Sequence, residues 1–292
     1  MRRLTGLLLG SLAPGSAFAH ASHAAAGDGI EPVFAALLVV ALVVGAALYA
    51  RGIGALWRRA GVGRGIRRSE ALTFALGWIA LAASLLSPID DWADRSFAVH
   101  MVQHELLMVV AAPLIVLGRP LETWTWAVSP RARRWLAAAI KSPVLKPLGR
   151  LVTLPLGAWI VHAIALWLWH LPVLFRAALL DPSVHILQHS CFFGSALAYW
   201  WSVFGRGRQP KGSSLASLFT TMLHTSALGA LLTFSSSAWY AGDAPRAFGL
   251  SALEDQQLGG LIMWVPGGMS YLIAGLFLVR QWLSPRRRTA AA

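Results

Sequence analysis

Charge is what this chain has least of. Only 13% of its 292 residues are Asp, Glu, Lys or Arg, while 57% are hydrophobic; a soluble domain usually carries about 25% charge. Too few charges remain to cover a solvated surface, and the apolar content excludes a disordered chain. Acidic residues are scarcer than basic ones, 12 against 25, which leaves a net charge of +13. A nucleic-acid partner would need those cations on one face of a soluble fold, and little soluble sequence exists to carry such a face. The single cysteine, Cys191, excludes an internal disulfide framework and a CxxC metal clip. No Walker motif, GxGxxG fingerprint or GxSxG elbow occurs in a suitable context. Lysine is limited to Lys141, Lys146 and Lys211, whereas tryptophan occurs 14 times. High tryptophan, low charge and an excess of cations together describe an integral membrane protein.

Residues 1–19 read MRRLTGLLLGSLAPGSAFA. Arg2 and Arg3 precede a short apolar core, and Ala17-Phe18-Ala19 forms an A-x-A site, so a cleaved signal peptide is expected over 1–19. The apolar run is too short to span a hydrocarbon core of about 30 Å. Cleavage would leave His20 and His23 near a free amino terminus, a possible copper chelate but more commonly a polar tail.

Seven stretches with little or no charge follow, over 33–50, 71–89, 100–117, 153–171, 184–204, 215–235 and 258–279. Each has the length of a membrane helix. Their apolar runs are continuous rather than alternating, so the fold class expected is all-α: a polytopic helical membrane protein with about seven transmembrane helices, one domain over 20–292 with a basic tail over 280–292. Pro266, followed by Gly267-Gly268, predicts a break in the last span. Twenty of the 25 cations fall in the loops after the first, third and fifth stretches and in the tail. The positive-inside rule places these in the cytoplasm. The mature N-terminus is then outside and the C-terminus cytoplasmic, in a bacterial inner membrane, which agrees with the export signal.

All nine histidines lie outside the expected cytoplasmic loops. His100 and His104 open the third span, His185 and His189 open the fifth, and His170 closes the fourth, all at the outer end; His162 and His224 lie deeper. The two pairs share one local sequence, V-H-x-x-Q-H, at 99–104 and 184–189. Spacing of four puts both imidazoles of a pair on one helix face, about 6 Å apart, a chelating arrangement. Met108 extends the first stripe by a turn, and imidazole with thioether suits copper. Gln103 and Gln188 hold equivalent places, either orienting an imidazole or joining helices. Glu105 is turned off the stripe by about 100°. The string His104-Glu105-Leu106-Leu107-Met108 fails as a zinc-protease box, and the HxxHH boxes of di-iron oxygenases are absent. A spacing of four cannot serve two stacked haems, but one haem held between the pairs is geometrically allowed.

The stretch SPIDDWADRSFAVHMVQHELLMVVAAPLIVLGRP (87–120) closely resembles the polytopic CtaG-like assembly factors of caa(3)-type cytochrome c oxidase. The segments at 166–201 and 241–268 resemble the same family, so the likeness covers nearly all of the mature chain. Its most specific elements are the acidic residues before His100, the paired V-H-x-x-Q-H and D-Q-x-x-G-G-x-x-M-W at 255–264. The resemblance implies a membrane protein of seven or so spans that interacts with cytochrome c oxidase subunits and helps to form the copper centre of a haem–copper oxidase. Of candidate metal ligands, His100, His104, His185 and His189 match, with His170 next. Copper delivery by ligand exchange, not catalysis, is the leading expectation. A haem protein, a scaffold without metal, and less strongly a transporter are the alternatives. Asp255 and Gln256 are expected to cap the last span or, less readily, to touch the metal.

Overall fold

The computed structural model describes residues 30–86, 88–143, 145–147, 149, 154–205, 210–240 and 247–283. The expected signal peptide, His20, His23 and the tail beyond 283 lie outside the described residues. Residues Leu42–Ala292 form one compact unit, and the other, Met1–Ala41, is described only over the opening turns of α1.

The described residues are helical and contain no strand. In chain order the helices are α1 (Ile30–Ala60), α2 (Arg68–Leu86), α3 (Pro88–Ala93), α4 (Phe97–Leu117), α5 (Pro120–Ala127), α6 (Pro130–Ile140), α7 (Pro155–Trp169), α8 (Pro172–Leu180), α9 (Pro182–Phe204), α10 (Lys211–Thr233) and α11 (Ala252–Leu283). Five of them, α1, α2, α4, α10 and α11, are long and apolar enough to cross a membrane; counting α7 and α8 as one bent span makes six. Such continuous apolar helices make this a multi-pass membrane protein. The expected count of seven is therefore not reached on length and apolarity among the described residues. The fifth expected stretch forms α9, which has 23 residues and no charge. His185, Gln188, His189 and four serines lower its hydropathy; of these, Gln188, Ser195 and Ser202 are buried. The fourth stretch ends early: α7 and α8 meet at 74° across His170-Leu171, where Pro172 can only begin a new helix.

Prolines set the irregular turns. Pro113 cannot donate to the preceding turn, and directly before it α4 opens into a π-helical turn, Leu106–Ala111. The break expected at Pro266 is a second π-helical turn, Met263–Gly267. Small residues then let backbones approach. A Cβ on Gly229 of α10 would sit 2.8 Å from the Gly260 carbonyl of α11, a contact typical of membrane helix packing.

α4 is the enclosed helix: 61% of its span is buried, against 22% for α2 and 33% for α10 and α11. Around its N-terminal half pack α3, α8, α9 and α11. Phe97, Phe175 and Tyr240 stack at centroid distances of 4.5–5.3 Å, and Met101, Leu228, Leu232 and Met263 continue that core. Farther along, the Trp200 indole of α9 donates to the Met108 carbonyl at 2.8 Å.

Candidate metal centre

The two V-H-x-x-Q-H segments start α4 and α9, and their imidazoles meet. Ligand nitrogens of His100, His185 and His189 lie within 4.8 Å of one another. Ring centroids are 4.4 Å apart for His100 and His104 and 4.2 Å for His185 and His189. Between the helices they are 5.3 Å apart for His100 and His185 and 5.2 Å for His104 and His189. His170, at the α7–α8 bend, lies 6.2 Å from His104. Five of the six sequence-derived candidates are therefore one cluster. Met108 is buried one turn deeper, inside the π-helical turn; the regular i, i+4 register that assigned it to the stripe passes through that irregular turn.

His100, His104 and His170 are at most 3% exposed. Both ring nitrogens of His100 and His104, and Nε2 of His170, His185 and His189, are buried without a hydrogen-bond partner. Buried polar atoms are nearly always paired, and leaving one unpaired costs about 1–3 kcal/mol. One nitrogen from each of His100, His185 and His189 gathers in one place, which fits a cation, with the His104 and His170 rings beside them. His170 has one ring nitrogen fixed as an acceptor. Its Nδ1 lies 2.7 Å from the Leu166 carbonyl, which can only accept. Nδ1 therefore carries the proton, and Nε2 keeps its lone pair.

The donor set is neutral imidazole, which suits Cu, Zn, Fe and Ni. A metal with bonds of about 2.0–2.1 Å needs nitrogens about 3.3–3.5 Å apart, and those of His100, His185 and His189 lie within 4.8 Å of one another. Haem fits poorly. The rings lie 4.2–6.2 Å from one another, with Phe175 and Phe192 packed against them. A macrocycle between the two helices would have to displace these rings. The cavity beside His100, also lined by Asp94, Ser96, Phe175, Tyr240 and Asp255, holds ≈ 80 Å³; cofactor pockets are about 300–1,000 Å³.

Neighbouring side chains hold the helices that carry the imidazoles. Asp255 does not cap its own helix, contrary to the expectation: Ser251 does, in a capping box with Glu254. Asp255 reaches across to α4 instead. Its Oδ1 accepts from Ser96 Oγ at 2.7 Å and Ala98 N at 3.0 Å, and its Oδ2 from Phe97 N at 2.7 Å. The carboxylate thus satisfies otherwise unpaired amides at the end of the helix that bears His100 and His104, where the helix dipole favours negative charge. Ser96 also accepts from Val99 N, capping α4 from within. Gln256 ties down the loop between α10 and α11, accepting from Trp239 N at 2.6 Å. Tyr240 of that loop donates to the His170 carbonyl at 2.6 Å; burial pushes its phenol pKa up, so the donor proton is kept. Gln103 joins helices, donating to the Ser84 carbonyl and to Asp90 Oδ1, whereas Gln188 is buried beside His100. Asp94 lies within electrostatic range of His185.

The deeper polar residues stand apart from this cluster. His162 Nδ1 is 3.1 Å from Ser195 Oγ, and its ring stacks on Tyr199. His224 accepts from the Trp167 indole at 3.4 Å. Glu105 faces the π-helical turn of α11, where a Cβ on Gly267 would lie 2.8 Å from its Oε2.

No solved structure matches the chain significantly. An uncharacterized protein of Mycobacterium bovis, Mb0105, is 27% identical over 272 residues, covering 88% of this chain and 40% of its own length. An uncharacterized protein of Mycobacterium tuberculosis, MT0111, has the same figures. For ML1998 of Mycobacterium leprae, also uncharacterized, the identity is 26% over 228 residues, with 73% of this chain and 34% of that protein covered. The chain thus spans about two fifths or less of the length of these relatives. A family model described as cytochrome c oxidase caa3 assembly factor (Caa3_CtaG) matches residues 47–284. With nearly the whole chain matched and the paired histidines at its most enclosed helix, the protein belongs to the Caa3_CtaG family of cytochrome c oxidase assembly factors.

Proposed function

We propose that the protein binds copper at the outer end of α4 and α9 and passes it to a haem–copper cytochrome c oxidase subunit in the same membrane. The supporting observation is the convergence of ligand nitrogens from His100, His185 and His189, with unpartnered buried nitrogens of His104 and His170 in the adjoining rings. Copper is the cargo and the chemistry is ligand exchange, so no substrate is turned over. Neutral imidazoles in a buried site hold the ion without adding fixed negative charge. The ≈ 80 Å³ cavity beside His100 supplies a route to the cluster, and Asp94 near His185 favours an approaching cation. Met108 is available as a softer ligand one turn deeper.

In the same reading α9 and the bent α7–α8 pair complete seven crossings. The mature N-terminus and the histidines face outward, and the C-terminus is cytoplasmic. The support is the cation bias, with twenty of 25 Lys and Arg on alternate loops and the tail. The test is copper content of the purified protein beside a variant with His100, His104, His185 and His189 all replaced by Ala. The reading expects binding to be lost in the variant; equal copper in both proteins overturns the ligand assignment.

A further inference from the structure

α6 (Pro130–Ile140) is folded like a surface helix yet buries none of its residues. Ser129 caps it, accepting from Ala132 N at 3.2 Å, and Pro130 occupies its first turn. Trp135, Ile140 and Leu136 are 72%, 63% and 43% exposed. At about 100° per residue, Ala132, Trp135, Leu136, Ala139 and Ile140 fall on one arc of the helix. Arg131, Arg134 and Lys141 fall on the opposite arc. A solvated helix has no use for a continuous apolar arc, and a helix packed in the protein would bury it.

Its position explains the pattern. α6 and its neighbour α5 sit where two candidate spans end. On one side a Cβ on Gly52 of α1 would collide with the Thr123 carbonyl of α5. The Arg59 and Arg133 guanidiniums lie 5.5 and 5.2 Å from the Trp126 ring, joining the basic end of α1 to the edge of α6. On the other side α4 ends at Leu117, three residues before α5 begins. α6 is therefore held at the level where apolar spans give way to arginines.

We propose that α6 lies flat in the headgroup layer of an anionic bilayer, with Trp135, Leu136, Ala139 and Ile140 on the acyl chains and Arg131, Arg134 and Lys141 paired with lipid phosphates. Tryptophan and arginine are the side chains suited to that layer, and the charge of the polar arc selects anionic over zwitterionic lipid. This surface is separate from the metal cluster and independent of what that cluster binds.

The full-length protein carrying Cys191→Ser and either Ala139→Cys or Ala138→Cys is spin-labelled and reconstituted in vesicles of phosphatidylcholine alone or with phosphatidylglycerol. Accessibility to oxygen and to nickel–EDDA is then read by power saturation. With phosphatidylglycerol, the label at 139 meets oxygen and is shielded from nickel, and the label at 138 shows the reverse. Adding R131Q, R134Q and K141Q reduces that contrast in phosphatidylglycerol, the docked-to-undocked ratio falling roughly fivefold per cation removed, and leaves the phosphatidylcholine values unchanged. Nickel access at 139 equal to that at 138 overturns the proposal in favour of a solvated helix. Shielding of 139 from both reagents overturns it in favour of a protein partner or a second copy. A contrast that ignores both lipid charge and the triple substitution overturns the anionic component.

Discussion

Replacing Asp255 separates the cost of holding the histidine helix from the cost of losing a ligand. Its carboxylate accepts three hydrogen bonds from the first turn of α4 and its cap, at 2.7, 2.7 and 3.0 Å, in a site where the residue is 3% exposed. Ala at this position strands Ser96 Oγ, Phe97 N and Ala98 N together; at about 1–3 kcal/mol for each buried donor left unpaired, the three cost about 3–5 kcal/mol, toward the low end of that range. At about 2–4 °C per kcal/mol, the apparent Tm in detergent falls by roughly 6–20 °C. Asn keeps the shape and one acceptor: its oxygen can serve Ser96 and Ala98, but its amide then faces the Phe97 N–H. One donor is left unpaired, at about 1–3 kcal/mol. Ser96→Ala removes one hydroxyl that both donates and caps, at about 0.5–2 kcal/mol. The damage is therefore greatest for Asp255→Ala, smaller for Asp255→Asn and smallest for Ser96→Ala, in both Tm and copper affinity measured by chelator competition. Since none of these groups is proposed as a ligand, the copper spectrum should keep its shape while affinity falls. An Asp255→Ala protein with unchanged Tm and unchanged affinity refutes the clamp, and a changed ligand field would make Asp255 a ligand instead.

Two further perturbations address the frame. Tyr240→Phe deletes the hydrogen bond to the His170 carbonyl and should cost about 0.5–1.5 kcal/mol, weakening copper binding up to about tenfold by chelator competition while the protein stays folded. Gly229→Val places a branched side chain where a Cβ alone would meet the Gly260 carbonyl and Trp264 N at 2.8 Å; overpacking of this kind costs about 1–3 kcal/mol or more, read as a lower Tm with copper stoichiometry retained.

What was legible in the sequence was periodic or local. Spacing of four placed His100 with His104 and His185 with His189, and the shared V-H-x-x-Q-H indicated that the two pairs belong together. Continuous apolar runs fixed the helical class, and Pro266 marked the break in the last span. The rest depended on contacts distant in sequence. Asp255 lies 159 residues from Ser96, so its motif could be noticed but not its partner; a local capping rule pointed to the wrong helix. The His170 tautomer follows from the Leu166 carbonyl four residues back, but the clamp on its backbone carbonyl comes from Tyr240, 70 residues away. The π-helical turn before Pro113 disturbs the regular spacing on which Met108 was chosen. α9 departs from the simple hydropathy criterion in part because His185, Gln188 and His189 lie at the site.

The most direct measurement is X-ray absorption at the copper edge of the copper-loaded, full-length protein. The account predicts three to four nitrogen scatterers at about 2.0 Å with the multiple-scattering pattern of imidazole, reduced or lost in the quadruple histidine variant, and no Soret band in the optical spectrum of the same sample. A shell dominated by sulfur or carboxylate oxygen, or an unchanged imidazole shell in the quadruple variant, would contradict it.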